Sequence, residues 1–360
     1  MRKFITLAAL VLALGGGAAA CDDNNTTSGD AGDKSGDEDK GSSGTAADGR
    51  SLTIYSGREE ELVADIFEQF EEESGITLNV RYGDSAELAA QILEEGDNSP
   101  ADVYFAQDAG SLGAVEAAGA FASLPDDILN LVPARFRSTS GGWIGTSGRA
   151  RVAVFNTEAL TEADMPASIL DFTDPAWKGK VGWAPTNGSF QSFVTALRKV
   201  EGEDGAREWL EAMKANDAQV YDGNSAIVQA VIDGEIEVGF VNHYYLLRFL
   251  AEDPATPAAN HFFAGGDPGS LVNTAGVGIV KASGEPEAAE TFVRFLLSET
   301  AQTYFAGHTE EDGFEYPLTE GLESPESLPA LTEIEQPDVD LGDLRDLEGT
   351  LALLQEVGLV

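Results

Sequence analysis

The folded part of the chain alternates short apolar runs with longer stretches whose apolar residues recur every three to four positions. The first unit is a predicted strand at 51–55 and a predicted helix at 59–74 with its apolar residues on one face. Predicted strands at 76–82 and 101–106, with a helix between them, repeat this unit. Alternation of this kind predicts an α/β fold with a parallel sheet flanked by helices.

The loops that follow these three strands are polar, at 56–60, 83–85 and 107–110. Ligands of such sheets bind beyond the carboxyl ends of the strands. We therefore expect a ligand site at the edge where these three loops meet.

The same alternation continues to the carboxyl terminus. Further strands are predicted within 143–156 and at 181–184, 218–221, 237–241 and 274–281. Further helices are predicted at 190–200, 205–215, 226–233, 246–250, 286–297 and 341–360, and a turn at 315–318.

The stretch 237–250 carries the candidate chemistry. Its apolar strand ends in Asn242, His243, Tyr244 and Tyr245, and the apolar side of a helix follows. A phenol ionises near pH ~10, so a phenolate at neutral pH requires a strong cation, such as ferric iron, that displaces the proton. An aromatic pair packed on the core is the common alternative for two adjacent tyrosines.

Two loops of the same half begin helices with small polar residues, at 186–189 and at 222–225. Helix starts of this kind suit an anion, although ordinary helix capping explains each loop in isolation. Arg149 and Arg151 also stand out in an acidic chain. Two interpretations remain open for them, pairing with surface carboxylates or recognition of an anion by guanidinium hydrogen bonds.

Composition narrows the class of protein. With 360 residues and 42% hydrophobic content, the chain suffices for two domains and is not disordered. Its formal charge of −42 argues against nucleic acid or an anionic membrane surface as a partner. Most of the imbalance falls in 51–360, and such a surface is typical of proteins that stay soluble in a salty or alkaline medium.

The amino terminus has the pattern of a targeting segment. Arg2 and Lys3 precede the apolar run 4–14, and small residues then lead to Cys21, the one cysteine. The arrangement looks like a bacterial lipoprotein signal peptide over 1–21, with Cys21 lipidated; ordinary secretion is the alternative. A flexible, acidic tether is predicted at 22–50, and neither a disulfide nor a thiolate metal site is expected.

Catalysis is not expected. The chain has three histidines, and it contains neither a His-Glu-x-x-His motif nor a Gly-x-Ser-x-Gly motif. The motifs therefore favour a binding protein over an enzyme.

Eight segments, in this order and spacing, resemble the bacterial ferric-ion-binding proteins of iron uptake transporters over nearly all of 52–360. They are LTIYSGREEE, SPADVYFAQDAG, SGRARVAVFN, LDFTDPAWKGKVGWAPTNGSF, DGNSAIVQAV, VNHYYLLR, DPGSLVNTAGVGIVKAS and EYPL. The resemblance implies a two-lobed periplasmic binding protein-like (type II) fold, each lobe a mixed, mostly parallel sheet flanked by helices, joined by two hinge strands. It places lobe 1 at 51–150 and 276–325, and lobe 2 at 151–275 and 326–360.

The resemblance also implies a function. The protein would be a monomeric, extracytoplasmic substrate-binding protein of an ABC transporter, held to the cell membrane by a lipid on Cys21. It would capture ferric iron, Fe(III), with a synergistic anion, carbonate or phosphate, in the cleft between the lobes, and deliver it to a permease and ATPase. A receptor of the same fold for another small ligand, such as an oxyanion, a polyamine or a phosphonate, is the alternative.

Carried over residue by residue, Tyr244 and Tyr245 resemble the paired iron-ligating tyrosines of the family. The anion-binding positions match Asn187, Gly188, Ser189, Asn224 and Asn242, and Arg149 resembles the arginine that some members use for carbonate.

The other lobe departs from the family pattern. Glu59 stands where many members have a histidine, Glu60 where others have a tyrosine, and Gln107 where some have a glutamate. Glu59 or Glu60 would then serve as an oxygen ligand, or the anion and water would complete the shell. Asp108 is open between the cleft and a helix start, and His243 is interpreted as a residue behind the ligands or at the surface.

Overall fold

The computed structural model describes residues 49–307, 314–324 and 327–360. The predicted signal peptide, Cys21 and nearly all of the predicted tether lie outside the described residues. None of the helices in the described ranges combines the length and apolarity needed to cross a membrane.

The strands are β1 Ser51–Ser56, β2 Thr77–Tyr82, β3 Val103–Ala106, β4 Ile144–Asn156, β5 Val181–Trp183, β6 Gln219–Val220, β7 Val238–Asn242, β8 Ala258–His261, β9 Val272–Ile279 and β10 Tyr316–Pro317. The α-helices are α1 Glu60–Ser74, α2 Ser85–Glu95, α3 Ala109–Ala117, α4 Asp126–Leu129, α5 Gly188–Ala215, α6 Asn224–Ile232, α7 Tyr244–Glu252, α8 Pro286–Leu296, α9 Glu299–Phe305 and α10 Leu347–Val357. A 3₁₀ helix at Leu341–Arg345 precedes α10.

The sheet is mixed, in the order β2-β1-β3-β9-β4-β7-β5-β6. The strand-helix units pair in parallel, β1 with β2 and β3, and β5 with β6 and β7. The strands β4 and β9 run antiparallel to their neighbours. The predicted parallel pairing therefore holds within each strand-helix unit, and the two inserted strands make the sheet mixed.

Strand β4 joins the two ends of this sheet. All thirteen of its residues are buried. Positions 144–150 pair with β9, and positions 151–155 pair with β7. Arg149 lies opposite Asn273 and Arg151 opposite Asn242, so both arginines fall on the border between the first sheet half (β2, β1, β3, β9) and the second (β7, β5, β6).

Each half has its own aromatic core. In the first, Phe292 meets Phe67 and Phe70 edge to face, with ring centres 5.4 and 5.0 Å apart. In the second, Trp209 meets Trp183 and Phe193 in the same way, at 6.2 and 5.6 Å. Burial of rings this large contributes much of the stabilisation of a core, so each half has a core of its own, and β4 pairs with strands of both.

Some predicted elements differ from the observed ones. The turn predicted at 315–318 is wrong, because Tyr316–Pro317 forms a short strand against Ser147 and Gly148 of β4. The two helices predicted at 190–200 and 205–215 are continuous except at Gly202, whose φ of 76° breaks the helical path. Helices α3 and α9 and strand β8 were not predicted.

The segment before α10 links the two halves. Its backbone runs against α3, where a Cβ atom on Gly110 or Gly113 would come within 2.6 Å of the Leu344 carbonyl or 2.5 Å of the Gly342 carbonyl. Helix α10 then packs on α5, and the hydroxyls of Thr350 and Thr195 are 2.7 Å apart. The predicted single helix at 341–360 is therefore a 3₁₀ helix on one half followed by α10 on the other.

Candidate metal and anion site

A cavity of about 970 Å³ lies where the loops after β1, β2 and β3 face the ends of β5 and β7. The loops that were predicted from the sequence to form a ligand site therefore line this cavity. The predicted site residues on its wall are Glu59, Glu60, Gln107, Asp108, Arg149, Asn187, Gly188, Ser189, Asn242, Tyr244 and Tyr245. Asn224 reaches the same group through hydrogen bonds to Asn187 and Ser189.

The two tyrosines occupy the junction of β7 and α7. Strand β7 ends at Asn242 and the helix begins at Tyr244, so the adjacent rings stack with centres 4.4 Å apart and planes 28° apart. Tyr244 is 4% exposed and Tyr245 is half-buried. Burial and the adjacent Tyr244 raise the pKa of Tyr245 above its ordinary value, whereas the charges of Arg149 and Arg248 act to lower it.

Arg248 is a neighbour of the tyrosines to which the sequence assigned no role. It lies one turn along α7, and its guanidinium carbon is 5.3 Å from the ring centre of Tyr244 and 5.8 Å from that of Tyr245. A cation over an aromatic face is attracted to the ring, and more so when the phenol is ionised. Arg248 follows the tyrosines by three and four residues, a spacing that makes residues neighbours on a helix, so this contact could have been predicted from the sequence.

A network of polar side chains surrounds the first turn of α5. Asn187 caps this helix by accepting a hydrogen bond from the Ser189 amide at 3.0 Å. The Asn224 side-chain amide, from the start of α6, donates to Asn187 Oδ1 and Ser189 Oγ, both at 3.2 Å. Asn187 therefore has the capping role, while Asn224 joins the two helix starts. The first amides of α5 provide the positive end of a helix dipole toward the cavity.

Arg149 and Arg151 are 4% and 2% exposed and line the cavity. The interpretation that they pair with surface carboxylates is wrong, because the carboxylate whose pKa Arg149 lowers is the buried Glu315. Arg151 donates to the Phe240 carbonyl at 3.0 Å and to Ser189 Oγ at 3.4 Å, and it lies over the rings of Phe190 and Phe193.

Arg58 and Glu315 form a buried ion pair beside the cavity. Arg58 Nη1 donates to Glu315 Oε1 at 2.9 Å, and each side chain is 4% exposed. Although burial raises the pKa of a carboxyl group, the charges of Arg58 and Arg149 hold the pKa of Glu315 below its usual value. This pair was not predicted from the sequence, where the one signal was an arginine in the polar loop after the first strand of an acidic chain.

The wall opposite the tyrosines carries the residues that depart from the family pattern. Glu59 and Glu60 are exposed, and Glu59 occupies the cap position of α1, where its side chain accepts no hydrogen bond from the helix amides. Asp108 has a capping role, since it accepts from the Ser111 amide and hydroxyl, both at 2.8 Å. Gln107 is half-buried next to it.

His243 lies behind the tyrosines. It is fully buried, its Nδ1 accepts from the Ala150 amide at 3.1 Å, and its Nε2 donates to the Phe314 carbonyl at 2.6 Å. Burial lowers the pKa of His243 to about 4. A surface position for this residue is therefore wrong.

Among the described residues, no group of three or more His, Cys, Asp or Glu side chains is placed to hold a metal. A hard cation in this cavity would use the phenol oxygens of Tyr244 and Tyr245, which are oxygen donors of the right type. An anion at the start of α5 would supply further oxygens and offset the charge of the metal.

Comparisons with known proteins agree with this architecture. A sequence model of the family described as bacterial extracellular solute-binding protein matches residues 98–336. The Fe(3+)-binding periplasmic protein of Serratia marcescens is 32% identical over 326 residues, which cover 89% of this chain and 94% of the relative. The major ferric iron-binding protein of Neisseria meningitidis serogroup B is 32% identical over 312 residues, with coverage of 86% and 93%.

Solved structures show the same fold. Iron-bound HitA from Pseudomonas aeruginosa superimposes with a TM-score of 0.79 at 33% identity, covering 86% of this chain and 99% of HitA. Trichodesmium IdiA (FutA) in complex with iron and citrate gives a TM-score of 0.75 at 28% identity, with coverage of 86% and 100%. The two-lobed type II periplasmic binding protein fold expected from the sequence is thereby confirmed. The chain belongs to the bacterial extracellular solute-binding protein family, as a member of its ferric-ion-binding proteins.

Proposed function

We propose that this protein captures ferric iron together with a synergistic anion, carbonate or phosphate, and delivers it to the permease and ATPase of an ABC transporter. The observation that carries the proposal is the stacked, largely buried pair Tyr244 and Tyr245 beside the polar network of Asn187, Ser189 and Asn224. Relatives over most of the chain are named as ferric-iron-binding proteins. One wall thus offers phenol oxygens for the metal and helix amides for the anion.

The chemistry of this wall suits a trivalent cation. Two phenolates supply hard oxygen ligands, and Arg149 and Arg248 lie close enough to favour ionisation of Tyr245. The anion would lie at Gly188 and Ser189, with Asn242 at the end of β7 bordering it. Metal binding displaces the phenol protons, so uptake is favoured at neutral over acidic pH.

The opposite wall would complete the site when the cleft closes. Glu59 or Glu60 would supply a carboxylate oxygen, and Gln107 would border the ligand; otherwise the anion and water complete the metal shell. We assign residues 51–150 and 276–325 to lobe 1 and residues 151–275 and 326–360 to lobe 2, except that residues 341–345 pack on α3 of lobe 1. Closure would then be a hinge motion at β4 and β9.

The protein would act outside the cytoplasm. A signal peptide at 1–21 would direct export. A lipid on Cys21 and an acidic tether at 22–50 would then hold a monomer near the membrane, within reach of the transporter. Its family consists of solute-binding transport proteins. The cycle would accordingly be binding, closure, docking and release, with no bond broken.

Visible spectroscopy tests the iron assignment. Ferric iron added with phosphate or carbonate to the iron-free protein should produce a phenolate-to-iron charge-transfer band. Tyr244→Phe combined with Tyr245→Phe should abolish it and weaken ferric binding more than about a hundredfold, since residues that merely support ligands already change affinity ten- to a hundredfold.

Tyr304→Phe, a tyrosine whose hydroxyl donates to the Leu62 carbonyl, is the matched control and should leave the band intact. A band that survives the double substitution would contradict the iron assignment. Stabilisation against heat by phosphate, a phosphonate or a polyamine alone, with no band, would favour the alternative receptor.

A further inference from the structure

Arg151 differs from the other buried arginines of the cavity in its partners. Arg58 is paired with Glu315, and Arg149 acts on the same carboxylate. Within the part of the chain that the structure describes, no ion pair joins Arg151 to a carboxylate. Its Nε has no hydrogen-bond partner, as is also true of Arg58 and Arg149. A buried cation without a counter-charge is costly, so its retention at a ligand cavity points to an anion as the partner.

The side chain of Arg151 belongs to the anion network. Its Nη1 is 3.4 Å from Ser189 Oγ, and Ser189 is bonded in turn to Asn187 and Asn224. Phe190 and Phe193 cover the guanidinium, each with its ring centre 5.4 Å away. Burial lowers the pKa of Arg151 to about 9, so the group stays protonated at neutral pH.

The buried charges around this network add up to more than one. The acidic residues on the facing wall, Glu59, Glu60, Glu61 and Asp84, are exposed, so water and salt screen their effect on a bound anion. Arg58 and Arg149 share Glu315 and together leave one positive charge. Arg151 supplies a second, and the first turn of α5 adds roughly half a charge. The site therefore matches an oxyanion with two negative charges better than one with a single charge.

We propose that Arg151 is the residue that sets the charge of the bound anion, making the site prefer a divalent oxyanion such as hydrogenphosphate over a monovalent one such as hydrogencarbonate. This inference rests on the anion part of the proposed function and narrows it. It concerns the iron-free protein, in which the guanidinium and the start of α5 meet the anion without a metal.

Calorimetric titration of the iron-free protein with inorganic phosphate and with hydrogencarbonate, at mildly alkaline pH, tests this. Arg151→Met should weaken phosphate binding roughly ten- to a hundredfold, the size expected for losing a hydrogen-bonded charge. It should weaken hydrogencarbonate binding only about threefold. Arg151→Lys, which keeps the charge, should retain most of the preference.

Arg207→Met is the matched control, because Arg207 is an arginine of α5 that pairs with Glu356 and does not line the cavity. It should change neither affinity. Equal losses for both anions in Arg151→Met would show a purely structural role and overturn the proposal, as would a wild-type protein that binds no phosphate without iron. The ratio of the two affinities is measured within one variant, so it does not depend on how much of that variant is folded.

The ferric band separates this proposal from the iron assignment. If the wild-type protein shows no band while Arg151→Met still loses its preference for phosphate, Arg151 keeps its role and the iron assignment fails. If the band forms and the preference is unchanged in Arg151→Met, only the role of Arg151 fails.

Discussion

The cavity has two walls that are built differently. The tyrosine wall is formed by Asn187–Ser189, Asn224, Arg151 and Tyr244–Tyr245. Its residues Arg151, Asn224 and Tyr244 are buried, and hydrogen bonds join Asn224 to Asn187 and Ser189. The carboxylate wall, formed by Glu59, Glu60, Gln107 and Asp108, presents exposed glutamates. One wall is thus assembled before any ligand arrives, and the other has charged groups that are still hydrated.

The difference follows from what each wall is attached to. The side chains of the tyrosine wall come from the starts of α5, α6 and α7 and from β4. Asn224 and Arg151 both bond to Ser189 at the start of α5, so little conformational freedom is lost there on binding. On the carboxylate wall Asp108 is engaged in capping α3, and Glu59 begins α1 without capping it. We infer that the tyrosine wall determines which ligand binds, and that the carboxylate wall responds to it when the cleft closes.

The two walls meet at 314–317. Phe314 accepts a hydrogen bond from His243 behind the tyrosines, and Glu315 pairs with Arg58 in the loop before α1. The following strand β10 pairs with β4. A change in this segment should therefore affect both walls at once.

The largest effect is expected from breaking the Arg58–Glu315 pair. Arg58→Met leaves the buried Glu315 carboxylate with only Arg149 near it and should lower the free energy of unfolding by about 3–5 kcal/mol. Urea unfolding of the iron-free protein measures this. Lys178→Met is the matched control, since Lys178 and Asp217 form a pair with 60% and 62% exposed side chains and should contribute at most ~1 kcal/mol.

The Arg58–Glu315 pair should also make the stability of the protein depend on pH. The pKa of Glu315 is lowered in the folded state, so its stabilisation is present above the pKa of the unfolded chain and is lost as the pH falls through the folded value. Glu315→Gln should remove this part of the acid dependence. If Arg58→Met costs no more than Lys178→Met, the segment 314–317 does not couple the walls.

The tyrosine wall could be predicted from the sequence better than the segment 314–317, where the two walls meet. The position of Tyr244 and Tyr245 follows from a local change of pattern, an apolar strand giving way to an amphipathic helix. Arg58 and Glu315 lie 257 positions apart, and no periodicity relates residues at that distance. Their pairing results from the addition of β10 to β4. A two-residue strand that contains Pro317 has no pattern from which this addition could be predicted.

The fold, too, was predictable where local sequence pattern determines an element, and not where the contacts join distant parts of the chain. Amphipathic helices such as α1 and α8 were predicted within a residue or so of their bounds. Helix α3 was missed because its alanines, glycines and Leu112 are apolar on every side and show no helical stripe. The antiparallel course of β4 and β9 was not deducible, since alternation of strands and helices indicates only the parallel pairs.

A smaller effect is expected from Asn187→Ala in the tyrosine wall. Loss of the cap should cost about 1 kcal/mol of stability. It also removes the acceptor shared by Ser189 and Asn224, so ferric affinity in the presence of phosphate should fall roughly tenfold or more. Competition with a chelator measures the affinity, and thermal unfolding measures the stability.

Ser298→Ala separates capping from binding. Ser298 caps α9 by accepting from the Ala301 amide, away from the cavity. It should show a similar loss of stability with unchanged ferric affinity. If both variants bind iron equally well, the network at α5 has a structural role only.

The smallest effects are expected on the carboxylate wall, from Glu59→Gln and Glu60→Gln taken separately. Each removes a charge at nearly constant shape, and because both side chains are exposed, their attraction for a cation in the cavity is screened. Ferric affinity should fall only about two- to fivefold, and the variant with the larger loss identifies the carboxylate that reaches the metal. Equal, negligible losses, with the charge-transfer band preserved in the double variant, would mean that the anion and water complete the shell. A loss of ferric affinity greater than that of Asn187→Ala would contradict our inference about the two walls, because the carboxylate wall would then determine which ligand binds.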